Sequence, residues 1–146
     1  MLKRYTFWLK IAIVFLLLNA VVHSISLVLP FGGDNDKERQ LVDLVTTYKL
    51  DMGAGFHPTF SNLFTALSSC FSFVCLLGGL TLIYLMRKSN DPALMRGIIG
   101  IHLVVFSGIF VMMAVFTFLP PIILTGVISG SLLAAYLLAP KTGSLV

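Results

Sequence analysis

GIIGIHLVVFSGIFVMMAVFTFLPPIILTGVISGSLLAAYLLAP, residues 97–140, is a run of 44 positions without Asp, Glu, Lys or Arg. A helix crossing a bilayer needs about 20 apolar residues, so the run is too long for one crossing and too short for three. Pro120-Pro121 stand near its centre. Two successive prolines remove backbone donors and stop a helix. The run therefore divides into two spans joined by a very tight turn.

Upstream lie two more charge-free runs, 23 residues at 11–33 and 35 residues at 52–86. Each holds one span. The expectation is an all-α chain, a four-transmembrane-helix bundle with spans at about 7–29, 59–85, 96–118 and 121–139 and an outer loop at 30–58. One integral membrane domain covers residues 1–146. Composition agrees: 58% of residues are hydrophobic and 11% charged, where soluble domains carry about 25% charged residues. The formal charge of +4 is not gathered into a stripe, so nucleic acid is not an expected partner.

Basic residues set the expected orientation. With the N-terminus inside, Lys3, Arg4, Lys10, Arg87, Lys88, Arg96 and Lys141 fall on the cytoplasmic side and only Lys37, Arg39 and Lys49 outside. Seven against three places both termini in the cytoplasm. Lys3-Arg4 followed by an apolar run and Val22-His23-Ser24 also fits a cleaved leader. The apolar stretch continues past Ser24 through Ile25 to Leu29, however, which favours a retained span.

The outer loop carries its own pattern. Asp34, Asn35 and Asp36 offer N-cap oxygens, and Glu38 falls in the first turn near the positive end of the helix dipole. Leu41, Leu44, Val45, Tyr48 and Met52 follow at helical spacing, with Gly53 to close the end. A short amphipathic helix over 36–52 is expected. Its apolar stripe either covers the outer end of the bundle or lies in the membrane interface. Five acids in the loop outweigh three bases, which makes it a poor binder of anionic lipid.

Polar side chains in hydrocarbon are costly and so mark candidate sites. Asn19 and His23 are one helical turn apart on the first span. His23 lies about 9 Å from the outer end of that span. Asn62 and Thr65 in the second span, and Thr117 and Thr125 beside the prolines, are expected at similar depth, with His57 above them at the mouth. The set Asn19, His23, His57, Asn62 and Thr65 is a candidate ligand-binding pocket opening outward. The competing reading is a hydrogen-bond cluster that fixes the bundle. His102 lies near the opposite end of its span, too far in depth from His23 to share one haem iron. Small residues Ser61, Thr65, Ser68, Ser72 and Gly79 line one side of span two, and Gly126 and Gly130 make a GxxxG in span four. Both suit close helix packing, within one chain or between two copies.

Absent motifs narrow the function. No Asp or Glu lies within a span, which removes the carboxylate that small proton-coupled exporters need. Cys70 and Cys75 form no CxxC, so quinone-linked thiol oxidoreductases are excluded. The Glu-Arg-rich motif of membrane glutathione transferases is missing. There is no Ser-His-Asp set, no HExxH and no phosphate-cradling glycine loop. No catalytic residue, metal or cofactor is expected.

Asn19-Ala20-Val21-Val22-His23, the stretch from Tyr48 to Gly53, Phe60-Ser61-Asn62-Leu63-Phe64, Gly78-Gly79 and Leu119-Pro120-Pro121 together resemble small bacterial four-helix membrane proteins of the DoxX-like kind. The resemblance implies a bacterial inner-membrane setting and no defined reaction. The expected function is non-enzymatic binding of a lipid-like ligand or a membrane partner, a second copy or another protein. The alternative is a redox or transport subunit using the outer-face histidines. The orientation is directly testable. Alkaline phosphatase inserted after Asn35 should be active, and green fluorescent protein fused after Val146 should fluoresce; the opposite pattern would invert the topology.

Overall fold

The computed structural model describes residues 2–29, 32–89 and 91–140. Five helices follow one another: α1 (Leu2–Val28), α2 (Asp36–Thr47), α3 (Phe60–Lys88), α4 (Pro92–Phe116) and α5 (Leu119–Leu138). Among the described residues there is no strand, only one isolated antiparallel bridge between Lys49 and Thr59. Four of the helices, all but α2, are long and apolar enough to cross a membrane. At 1.5 Å per residue α5 is about 30 Å long, the thickness of a bilayer's hydrocarbon core. Large apolar side chains such as Phe73, Leu77, Val104 and Val115 stand exposed on these helices. That pattern suits a lipid environment and would be a liability in water.

The helix ends differ from the sequence expectation, and for a common reason. Charge marks where hydrocarbon ends, whereas capping chemistry marks where a helix ends. α3 therefore runs on through Arg87 and Lys88, and α4 starts at Pro92 rather than Arg96. Asp91 is the N-cap of α4, its Oδ1 accepting from Ala93 N at 2.8 Å, with proline at the first helical position. α5 likewise starts at Leu119, two residues before the expected Pro121. The first helical N–H groups have no intrahelical acceptor, so both prolines fit in the opening turn without loss. They end α4 and begin α5, leaving Thr117 and Phe118 as the whole connection.

α2 is shorter than expected, ending at Thr47 instead of Met52. Asn35 caps its start as anticipated, accepting from Glu38 N at 3.0 Å. At the other end Thr46 and Thr47 hydroxyls turn back to the Val42 and Asp43 carbonyls. Tyr48 then adopts an extended conformation as C-cap. The chain continues as a small hairpin, with Leu50 N to Pro58 O at 2.9 Å and Met52 N to Phe56 O at 3.1 Å. Gly53, expected to terminate the helix, serves this turn: Gly53, Ala54 and Gly55 all have positive φ. Asp51 Oδ1 accepts from Gly53 N, the local bond that favours aspartate beside such turns.

Packing divides the chain into two compact units. One holds the chain up to Asn19 and from Cys75 onward; the other spans Ala20–Val74. Leu9 and Leu16 of α1, Leu82 of α3, Ile99 of α4 and Ile128 and Leu132 of α5 are fully or almost fully buried in the first. Gly78-Gly79 put α3 between two neighbours. A Cβ on Gly79 would come within 2.8 Å of Leu17 on α1, and one on Gly78 within 3.1 Å of the Phe106 ring on α4. Gly126 of α5 similarly admits the Phe110 ring of α4, where a Cβ would sit 3.1 Å away. Gly130 faces open space. Of the GxxxG pair, then, Gly126 serves packing within the chain, and Gly130 packs against nothing within reach of a Cβ.

The α4–α5 pair is fastened at its other end by Arg96. Its Nη1 donates to the carbonyls of Tyr136 at 2.7 Å and Ala139 at 2.9 Å, and its guanidinium carbon lies 4.1 Å from the Tyr136 ring centroid. The last carbonyls of a helix lack intrahelical donors and carry the negative end of its dipole, so a cation there does double service. From sequence, Arg96 reads only as a topology marker. Arg96→Gln should lower the melting temperature in detergent by the equivalent of about 2 kcal/mol, the scale of a charged hydrogen bond. Arg96→Lys should recover part of the loss, because one ammonium cannot both stack on the ring and bridge two carbonyls. An unchanged melting temperature would remove Arg96 from the fold's supports.

Candidate functional site

α1 is continuous through Asn19 and His23, which holds the two residues one turn apart, as expected. Asn19 belongs to the first unit. It is buried, and its Nδ2 donates to the Cys75 sulfur of α3 at 3.5 Å. Sulfur is a weak acceptor, so this is a modest bond between helices.

His23 belongs to the second unit, where the richer chemistry lies. Its ring is half-buried, and Nε2 lies 3.2 Å from the Ser68 carbonyl oxygen of α3. A carbonyl can only accept, so the proton of this bond is on Nε2, and in the neutral ring Nδ1 is an acceptor. Phe71 meets the imidazole edge-on, with centroids 5.1 Å apart and planes at 85°. The bond to Ser68 has a consequence one turn along. A helical serine ordinarily returns its hydroxyl to the carbonyl four residues back, which for Ser72 is the Ser68 oxygen. That oxygen receives His23, and the Ser72 hydroxyl is buried without a hydrogen-bond partner. Its residue is 8% exposed. Leaving a hydroxyl in that condition costs about 1–3 kcal/mol.

The other expected site residues have different occupations. Asn62 is exposed, and its Oδ1 accepts from both the backbone N and the hydroxyl of Thr59, at 3.0 and 2.8 Å. The Thr59 hydroxyl is in turn 3.2 Å from Asn62 N. This reciprocal arrangement is a capping box at the head of α3. Thr65 is exposed, and its carbonyl accepts from Ser69 Oγ at 2.7 Å. His57 and Asp51 are both exposed, with Nδ1 and Oδ1 3.9 Å apart across the hairpin. Thr117 and Thr125 return their hydroxyls to the carbonyls of Met113 and Pro121. His102 donates from Nδ1 to the Ile98 carbonyl at 2.9 Å and stacks on Phe106. Among the described residues no group of three His, Cys, Asp or Glu could hold a metal ion.

The structure thus joins His23 to Ser68 and Phe71, with Ser72 one turn further along α3. Sequence reading placed Ser68 and Ser72 in a small-residue packing stripe and did not connect them to His23. Their spacing of four was visible; that a histidine from another helix would take the shared carbonyl was not.

Set against protein families, curated proteins and solved structures, the chain matches none of them.

The capping role of Asn62 is separable from any binding role. Asn62→Ala should destabilise the protein by about 1 kcal/mol, the usual value of an N-terminal cap. Adding Thr59→Ala should cost little more, because both side chains serve one cap. Fully additive losses in thermal unfolding would show that Asn62 has work elsewhere.

Proposed function

We propose that this is a non-enzymatic integral membrane protein that captures a lipid-like molecule through uncharged polar groups at His23 and Ser72. The observation that carries the reading is the Ser72 hydroxyl, buried and without a partner beside a carbonyl already taken by His23. A ligand hydroxyl or carbonyl would relieve that cost. Apolar side chains with one or two hydrogen-bonding groups suit a lipid, sterol or quinone headgroup. Phe71 gives the ring of His23 a fixed attitude, so that Nδ1 can serve as the second orienting acceptor.

The setting we infer is a bacterial inner membrane with both termini cytoplasmic. Seven basic residues against three support the orientation. The likeness to small DoxX-like membrane proteins supports the compartment, and kinship with them is part of the same proposal.

Protein purified in mild detergent should carry an adduct of lipid mass in native mass spectrometry. Ser72→Ala is the informative variant because two accounts of the residue give it opposite signatures. Removing an unsatisfied hydroxyl should hold or raise the melting temperature, while the adduct should fall by about tenfold for a lost hydrogen bond near 1.4 kcal/mol. His23→Leu should lose the adduct as well, and Asn62→Ala should keep it. A wild-type protein that never takes up such a molecule, or a Ser72→Ala variant that binds it equally, defeats the reading.

A further inference from the structure

α2 presents an apolar face that nothing in its own unit covers. Along its 12 residues none is buried. Leu41 and Leu44 are 59% and 57% exposed, and Tyr48, just past the helix end, is 60% exposed. At i, i+3 and i+7 these three share one side, while Arg39 and Asp43 lie on the other. A lid on a protein surface would bury this side.

The hairpin determines where the face sits. Lys49 pairs with Thr59, and Leu50 N bonds to Pro58 O, so the register sets Tyr48 opposite Phe60. Thr59 and Asn62 cap α3, and Phe60 is that helix's first residue. The end of α2 is therefore tied to the head of a helix able to cross a membrane. At that level an amphipathic helix meets the boundary between headgroups and acyl chains, where aromatic residues are enriched. Phe60 and Phe56 are also exposed there.

We propose that α2 and its hairpin are an interfacial segment whose occupant is the bilayer surface itself, with Leu41, Leu44 and Tyr48 seated among the upper acyl chains. The charge identifies the lipid class. α2 holds three acids and two bases, and Arg39 is drawn to Asp36 at 3.8 Å. Interfacial helices that select anionic lipid carry Lys and Arg along the polar face. This one fits a zwitterionic leaflet.

The sole tryptophan, Trp8, can be changed to Phe to clear the background. In that chain Leu44→Trp and Asp43→Trp are compared in vesicles of phosphatidylcholine brominated high on the acyl chains. Leu44→Trp should emit to the blue and lose most of its emission to bromine, and Asp43→Trp should remain water-like and unquenched. Leu41→Trp repeats the first measurement should Leu44→Trp fail to fold. Blue-shifted but unquenched emission at position 44 would mean that protein covers the face, from this chain or a second copy, and would overturn the proposal. Water-like emission at both positions would overturn it too. Adding phosphatidylglycerol should change nothing; quenching that requires it would overturn the zwitterionic assignment. Because the probe reads α2 and not His23 or Ser72, its failure is distinct from failure of the ligand reading.

Discussion

In hydrocarbon no water completes a broken hydrogen bond, so each backbone group must find its partner within the protein. The remaining structure follows from how that condition is met at the helix ends, where the regular ladder leaves four donors or four acceptors idle. At the starts the donors are answered locally: Asn35 for α2, Thr59 with Asn62 for α3, Asp91 for α4. α5 answers the problem by subtraction, because two of its first three residues are prolines with no N–H to satisfy. At the far end of α5 the answer comes from another helix, through Arg96. Few charges remain in this chain, and two of them, Asp91 and Arg96, are spent on termini.

The same condition explains what was legible in the sequence. Charge-free runs and the proline pair were enough for four long apolar helices and their order. Their ends were not legible from that signal, because Arg87, Lys88 and Arg96, just outside the charge-free runs, are still helical. The capping residues Asp91-Pro92 were the better guide. Beyond Thr47 the apolar spacing at Tyr48 and Met52 imitated a helix that the Gly53-Ala54-Gly55 turn precludes. Periodicity could not separate one more helical turn from an extended hairpin arm beginning there, and the double glycine was the evidence against the helix.

The candidate site was legible only in half. His23 stood out because histidine is rare in a span, and Asn19 because it shares the face. Which atoms they meet depends on the register of α1 against α3, and sequence spacing along one helix says nothing about another. Asn19 turned out to bond a cysteine and His23 a backbone carbonyl. A backbone acceptor has no residue signature at all. Ser72 became notable only through that bond, as the side chain whose usual partner was already engaged.

The fastening of α4 to α5 bears on how the protein is made. A connection of two uncharged residues at one end and an arginine clasp at the other turn the two helices into a single hairpin of nearly local contacts. Such pairings form early, since little chain must be searched to close them. In a bilayer neither helix could reverse its direction without carrying the other. Were the pair to enter a bilayer, the direction of α4 would therefore fix that of α5.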